Sequence, residues 1–207
     1  MGYTHYWYYK NPVFDMANIV NKKAEISRSS RGDYESVKKE FAKFPTHREL
    51  TKRIKKHIEA FNKISDDLNH ALIVLQKEKD FVLRGVIGEG EPTISDNEIC
   101  FNGDGSNGQD LDHETFVFKL FQSGHNRKID EFEKDGVFGF CKTARKPYDV
   151  AVCVSLMVIK HHIGSDFSIS SDGDLEDGWG EAIEFYEKFF KRKAPKQLMT
   201  YLTKENA

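Results

Sequence analysis

The sequence predicts an α+β fold, a small and mostly antiparallel sheet packed with helices. Three observations carry that reading. Residues 46–76 place Leu50, Ile54, Ile58, Phe61, Ile64, Leu68, Leu72 and Leu75 at spacings of three and four, one apolar stripe along a long amphipathic helix. Residues 147–163 are apolar almost all the way round (Val150, Val152, Val154, Leu156, Met157, Val158, Ile159), which requires a central, buried helix. The remaining apolar segments are short and mostly lack crossover helices between them, as antiparallel strands do.

In chain order, residues 3–9 are aromatic and close at Asn11-Pro12. As a strand they put Tyr3, His5 and Trp7 on one face and Thr4, Tyr6 and Tyr8 on the other. Residues 14–43 read as helix with a break near 29–32, and Pro45-Thr46 introduces the long helix. Residues 81–87 read as a short strand and 88–93 as a turn-rich link. Residues 94–101 and 115–121 read as strands on either side of a loop rich in glycine and acids. Strand 136–142, the buried helix, strand 167–170 and an amphipathic helix over 179–191 complete the pattern. The expected organisation is one domain over 1–207. Its α+β core comprises 3–9 plus 81–193, with a helical subdomain or insertion at about 14–79.

A chain of 207 residues buries a sizeable core without disulfides or a structural metal. With 31 basic against 33 acidic residues the formal charge is −2, so no global field recruits nucleic acid or an anionic membrane. Any recognition of an anion is local. Cys100, Cys141 and Cys153 are odd in number and match no zinc spacing, as reduced, packed thiols of a cytoplasmic protein. The first ten residues lack the charged and apolar regions of a signal peptide. Gly2 is followed at position 6 by Tyr, where myristoylation wants Ser or Thr. With no apolar run of about 20 residues to span a bilayer, the chain is expected to be soluble, cytoplasmic and without a membrane partner.

No P-loop, GxGxxG or GxSxG is present, so no cofactor is expected. The basic run Lys52, Arg53, Lys55, Lys56 lies opposite the apolar stripe without interleaved aromatics, which argues against a nucleic-acid polymer as partner. His5, His161 and His162 form no HxH or HExxH pair, so no metal site is expected. His161 and His162 suit a helix C-terminus capped by Gly164. The acids of 172–174 alternate as in a calcium loop but lack its distal glutamate.

Residues 140–149, FCKTARKPYD, stand out. A strand ends, a basic loop follows, and Pro147 occupies the first position expected of the buried helix, where its missing N–H costs nothing. Lys142, Arg145 and Lys146 put cations where a helix N-terminus favours anions, so each needs a ligand or a carboxylate of the fold. Thr143 offers a hydroxyl and Tyr148 a stacking surface. Asn102 opens an Asn-Gly-Asp-Gly turn. Glu114 and Thr115 begin the next strand, and Glu114 is a candidate partner for Arg145.

The segments MGYTHYW, FNG at 101–103, ETF at 114–116, FCKTARKPYD, SSDG at 170–173 and Trp179 together resemble an uncharacterised family found in bacteriophages and bacterial genomes. The resemblance covers 3–9 and about 88–190 and leaves out 33–79. It implies a phage or prophage origin, in an infected or lysogenic bacterial host, and carries over no catalytic residues.

The resulting expectation is a protein that binds and sequesters a phosphorylated, nucleotide-like small molecule, in a phage counter-defence role, rather than an enzyme. Its ligand-binding residues would be Lys142, Thr143, Arg145, Lys146, Tyr148, His5, Asn102, Glu114, Thr115 and Asp172. Two alternatives stay open. One is a hydrolase of a nucleotide-like phosphoester or glycosidic bond, using His5, Glu114 or Asp172 as acid and base. The other is a protein-interaction module or homo-oligomer built on helix 46–76.

Overall fold

The computed structural model describes residues 3–29, 33–106, 108–121 and 136–204. Two three-stranded antiparallel sheets replace the single sheet expected. The first has the order β5–β1–β6, from β1 (Thr4–Tyr9), β5 (Val137–Lys142) and β6 (Phe167–Ser171). The second has the order β2–β3–β4, from β2 (Thr93–Ile94), β3 (Glu98–Phe101) and β4 (Phe116–Lys119). Around them lie α1 (Pro12–Ser29), α2 (Tyr34–Phe41), α3 (His47–Lys79), α4 (Asp149–Ile163), α5 (Gly180–Phe190) and α6 (Lys196–Lys204). Gly2 and part of the expected break near 29–32 fall outside the described residues.

Helix α4 is the hub. Its side chains are buried from Asp149 to Lys160, and it packs against α3, α5 and β6. Helix α3 begins at a full capping box, with Thr46 Oγ1 accepting from the Glu49 amide and the Glu49 carboxylate accepting from the Thr46 amide. Its stripe faces the core, with one correction. Ile58 is exposed, and His57 takes the buried position beside Leu50, Phe61, Ile64, Leu68, Leu72 and Leu75. A straight helix drifts against a pattern of four-residue steps, so 57 stays on the inward face and 58 leaves it.

His57 is buried among polar partners. The Tyr9 hydroxyl donates to Nδ1 at 2.8 Å, and Nε2–H donates to Asp166 Oδ2 at 3.0 Å, where Arg53 also reaches at 3.5 Å. Burial holds its pKa below the ordinary histidine value, against the pull of Asp166 and with help from Arg53 and Lys56. As pH falls below about 6.5, the unfolded chain takes up a proton here that the folded chain resists. The stability conferred by neutral His57 is therefore complete above that pH and declines below it. Urea denaturation between pH 7.5 and 5.5 is expected to show a steeper loss in the parent than in His57→Gln, and equal slopes would refute the assignment.

Other differences are local. Residues 81–87 form no strand; Arg84 makes an isolated bridge to Asn102, and Val86–Gly88 is a 3-10 turn. The end of α4 is capped as expected by Gly164, whose amide bonds Lys160 O. The side chain that reaches beyond it is Lys160, donating to the carbonyls of Gly164 and Phe167 and to Gln197. His162 instead pairs with Asp67 at 2.8 Å, which also accepts from Arg192 at 3.0 Å. Helix α6 follows α5 and was not anticipated, although Pro195 and the i, i+4 pair Leu198 and Leu202, both buried, signal it.

Candidate functional site

Strand alternation divides the first sheet into two unlike faces. His5, Trp7 and Tyr9 on β1 point inward to the core, in register with Cys141 and Gly139 on β5 and with Ser171, Ile169 and Phe167 on β6. Gly139 is required beneath Trp7, because a Cβ there would strike the indole. Tyr6 and Tyr8 point outward, flanked by Phe138 and Phe140 on β5, which are 45% and 52% exposed. Tyr6 stacks on Phe138 at 6.2 Å, Phe138 on Phe140 at 5.9 Å, and Tyr8 leans on Phe138 at 5.1 Å. Lys142 continues this outward row on β5. Among the described residues its ammonium makes no ion pair or hydrogen bond.

On the inner face His5 is fully buried at the centre of a polar knot. Asp149 Oδ1 accepts from His5 Nε2–H at 2.8 Å and from the Thr143 hydroxyl. Because the carboxylate only accepts, Nε2 carries the proton, and in the neutral imidazole Nδ1 then accepts from Ser171 Oγ–H at 2.9 Å. Ser171 Oγ in turn accepts from the Gly173 amide at 3.0 Å. Cys153 Sγ lies 3.5 Å from His5 Nε2 and about 4 Å from Asp149 Oδ2 and the Gly178 carbonyl. The rings of Tyr3 and Trp179 meet His5 edge-on at 5.1 and 5.2 Å. Burial and the Asp149 carboxylate push the Cys153 thiol pKa well up, the opposite of what an attacking thiolate needs.

The basic loop hangs from one carbonyl. The Thr143 and Ala144 amides both donate to Tyr3 O, at 3.1 and 3.2 Å, and Ala144 and Arg145 take left-handed backbone angles (φ 50° and 57°). Two tight turns follow, with the amides of Lys146 and Asp149 donating to Thr143 O and Lys146 O. Helix α4 therefore starts at Asp149, two residues later than Pro147 suggested. Its first turn carries its own anion, since Asp149 is the acidic residue there.

Arg145 lies over the Tyr3 ring at 4.4 Å and forks the Asp177 carboxylate, with Nε–H donating at 3.0 Å. That hydrogen bond holds the Asp177 pKa below the usual carboxylate range. Glu114, the partner suggested for Arg145, is engaged elsewhere: its Oε2 accepts from the Lys142 amide at 2.8 Å while its own amide donates to Lys142 O at 3.2 Å. The carboxylate thereby supplies the acceptor that a strand carbonyl would, and ties the second sheet to the first. Lys146 donates to both the carbonyl and the carboxylate of Asp110.

Tyr148 is fully buried and its hydroxyl donates to Glu114 O at 2.7 Å, so its ring has no free face for a ligand. Asn102 is likewise buried, bonding the His113 carbonyl and the Gly103 and His113 amides, with Thr115 Oγ1 at 3.4 Å. Asp172 is exposed on the outer side and accepts from the Tyr6 hydroxyl at 3.4 Å.

The ten residues expected at the site thus occupy three settings. His5 and Thr143 meet through Asp149 in the inner knot. Asn102, Glu114, Thr115 and Tyr148 form the bracket between the sheets. The side chains of Lys142, Arg145, Lys146 and Asp172 lie at the rim, two of them paired with Asp177 and Asp110. An open depression of about 490 Å³ lies along α6, lined by Lys196, Gln197, Thr200 and Tyr201, and includes none of the ten.

Asp149, Cys153 and Ser171 join His5 and Thr143 in the inner knot and are not among the ten residues expected at the site. The signal was present in Asp149 and Cys153, which stand four apart and so share one face of the mostly apolar first half of the helix. A buried carboxylate there demands donors, and His5 in an aromatic strand demands an acceptor. With His5, these two bring a nitrogen, an oxygen and a sulfur to within 4.8 Å of one another, where no metal site was expected. No helix among the described residues is long and apolar enough to cross a membrane. The chain matches no protein-family model, no curated protein and no solved structure.

Proposed function

We propose that the chain binds and sequesters a phosphorylated, nucleotide-like small molecule on the outward face of the β5–β1–β6 sheet. One observation carries the reading: the outward ring row of half-buried Tyr6 and Tyr8 and exposed Phe138 and Phe140 continues on β5 into Lys142, whose ammonium has no partner among the described residues. Every nucleobase has a π-face that stacks on such rings, and an unpaired ammonium meets a phosphate. Asp172, across Thr4 from Lys142 and about 10 Å away by strand spacing, offers an acceptor to sugar hydroxyls. Arg145 lies over Tyr3 and Lys146 at Asp110, so Lys142 is the cation on which the reading rests.

Sequestration is preferred to hydrolysis because the groups suited to acid–base work do not converge. His5 lies inside the core, Asp172 outside the sheet, and the Glu114 carboxylate is engaged by the Lys142 amide. Oligomerisation through α3 has less support, since most of that helix's apolar stripe is buried within the chain. Together with the resemblance to phage proteins, this reading makes the chain a counter-defence sponge for a host nucleotide signal, acting in the host cytoplasm.

Calorimetric titration with ATP, cyclic AMP and ADP-ribose tests it, followed by heat release and mass analysis of whatever is bound. Recovery of intact nucleotide is expected. Stacking contributes about 1–3 kcal/mol per base, so Phe140→Ala should weaken binding roughly 5- to 150-fold. Lys142→Ala should weaken it further without altering the melting temperature. Absence of binding across the panel, or affinities unchanged in both variants, would sink the proposal; recovery of fragments would make the protein a hydrolase instead.

A further inference from the structure

We propose that His5, Asp149 and Cys153 form a binding site for a divalent cation of the zinc class, fastening β1 to the first turns of α4. The inference is independent of the ligand proposed above, which lies on the opposite face of the sheet. The three side chains present the donor types that zinc accepts, an imidazole nitrogen, a carboxylate oxygen and a sulfur, with all three residues buried and their ligand atoms within 4.8 Å of one another. Around zinc, bond lengths of about 2.0–2.3 Å place neighbouring ligand atoms about 3.3–3.6 Å apart. Here the nitrogen lies 3.5 Å from the sulfur and 2.8 Å from one carboxylate oxygen, and the sulfur 4.0 Å from the other. The Asp149 carboxylate can meet an ion there through both oxygens, Oδ1 on the His5 side and Oδ2 on the Cys153 side.

A second observation comes from counting protons. His5 Nε2–H donates to Asp149, so it cannot also accept from the Cys153 thiol, its nearest polar neighbour. The other acceptors within reach of the thiol are at 3.9 and 4.0 Å. The thiol is thus left with only long contacts in a fully buried space. A cation resolves the conflict, because all three atoms can then direct lone pairs to one point. Charge also balances, since a dication with one thiolate, one carboxylate and a neutral imidazole is neutral and suits a dry site.

The surrounding shell fits. On binding, Cys153 releases its proton to solvent and His5 moves its proton from Nε2 to Nδ1, where Ser171 Oγ accepts it at 2.9 Å. The Thr143 hydroxyl remains as donor to Asp149. Tyr3 and Trp179 close the site from solvent, so no coordination position faces a substrate.

The test is titration of chelator-treated protein with Co²⁺, then with Zn²⁺. Expected are a thiolate-to-cobalt charge-transfer band in the near ultraviolet, displacement by one equivalent of Zn²⁺, and a higher melting temperature in Zn²⁺ than in chelator. Cys153→Ser, checked for folding by circular dichroism, should lose the band while Cys100 and Cys141 remain. Ser171→Ala should keep the band but bind about 10- to 100-fold more weakly. Absence of the band and of any thermal shift in the parent would overturn the site. So would a band that persists in Cys153→Ser.

Discussion

Asp149→Ala is expected to be among the most damaging single substitutions in this chain. It removes the common acceptor of His5 Nε2–H and the Thr143 hydroxyl, leaving two buried donors without a partner. Each such orphan costs about 1–3 kcal/mol, so the loss should be roughly 2–6 kcal/mol in urea denaturation monitored by circular dichroism. For a chain of this size that corresponds to a fall of about 2–4 °C in melting temperature per kcal/mol. The substitution also strips the carboxylate from the first turn of α4, where it opposes the positive end of the helix dipole. Asp149→Asn keeps an acceptor oxygen in the same place and should lose less. A loss below about 1 kcal/mol for the alanine variant would mean that the knot relaxes and that its hydrogen bonds do not hold β1 to α4.

Phe118→Ala tests the other joint of the molecule. Phe118 is fully buried and stacks on Phe61 of α3 at 5.6 Å, meets Phe167 of β6 edge-on at 5.5 Å and leans on Tyr9 of β1 at 5.2 Å. One ring thus joins the second sheet to the first and both to the long helix. Removing a ring from such a site costs about 3–5 kcal/mol, because the lost transfer energy is compounded by a cavity that rigid neighbours cannot fill. Phe138→Ala is the control: its ring is half-exposed, and its removal should change stability by no more than about 0.5 kcal/mol. If the two variants unfold at similar urea concentrations, the ring junction is not what binds the sheets.

Much of the fold was legible because it rests on local periodicity. The stripe of α3, the all-apolar α4 and the alternation in β1 are patterns that each segment carries in its own residues. The departures have equally local causes. Helical drift exchanged Ile58 for His57, and two left-handed residues delayed the start of α4. The candidate site was less legible. The basic loop and the aromatic strand were found, but the carboxylates assigned to the loop were not. Asp177 and Asp110 lie 32 and 36 residues from their partners, and nothing in a linear pattern selects them over Glu114.

The sequence by itself determined the α+β class, the long amphipathic helix, the buried helix and which face of β1 each side chain takes. Those follow from the period of apolar residues, which the backbone geometry of each element imposes. Only the tertiary structure decided that there are two sheets, that Arg145 and Lys146 face carboxylates of the fold, and that Lys142 extends a row of exposed rings. It also brought His5, Asp149, Cys153 and Ser171 together from positions as much as 166 residues apart. The physical reason is that a buried polar group must find its partners in space, wherever along the chain they lie.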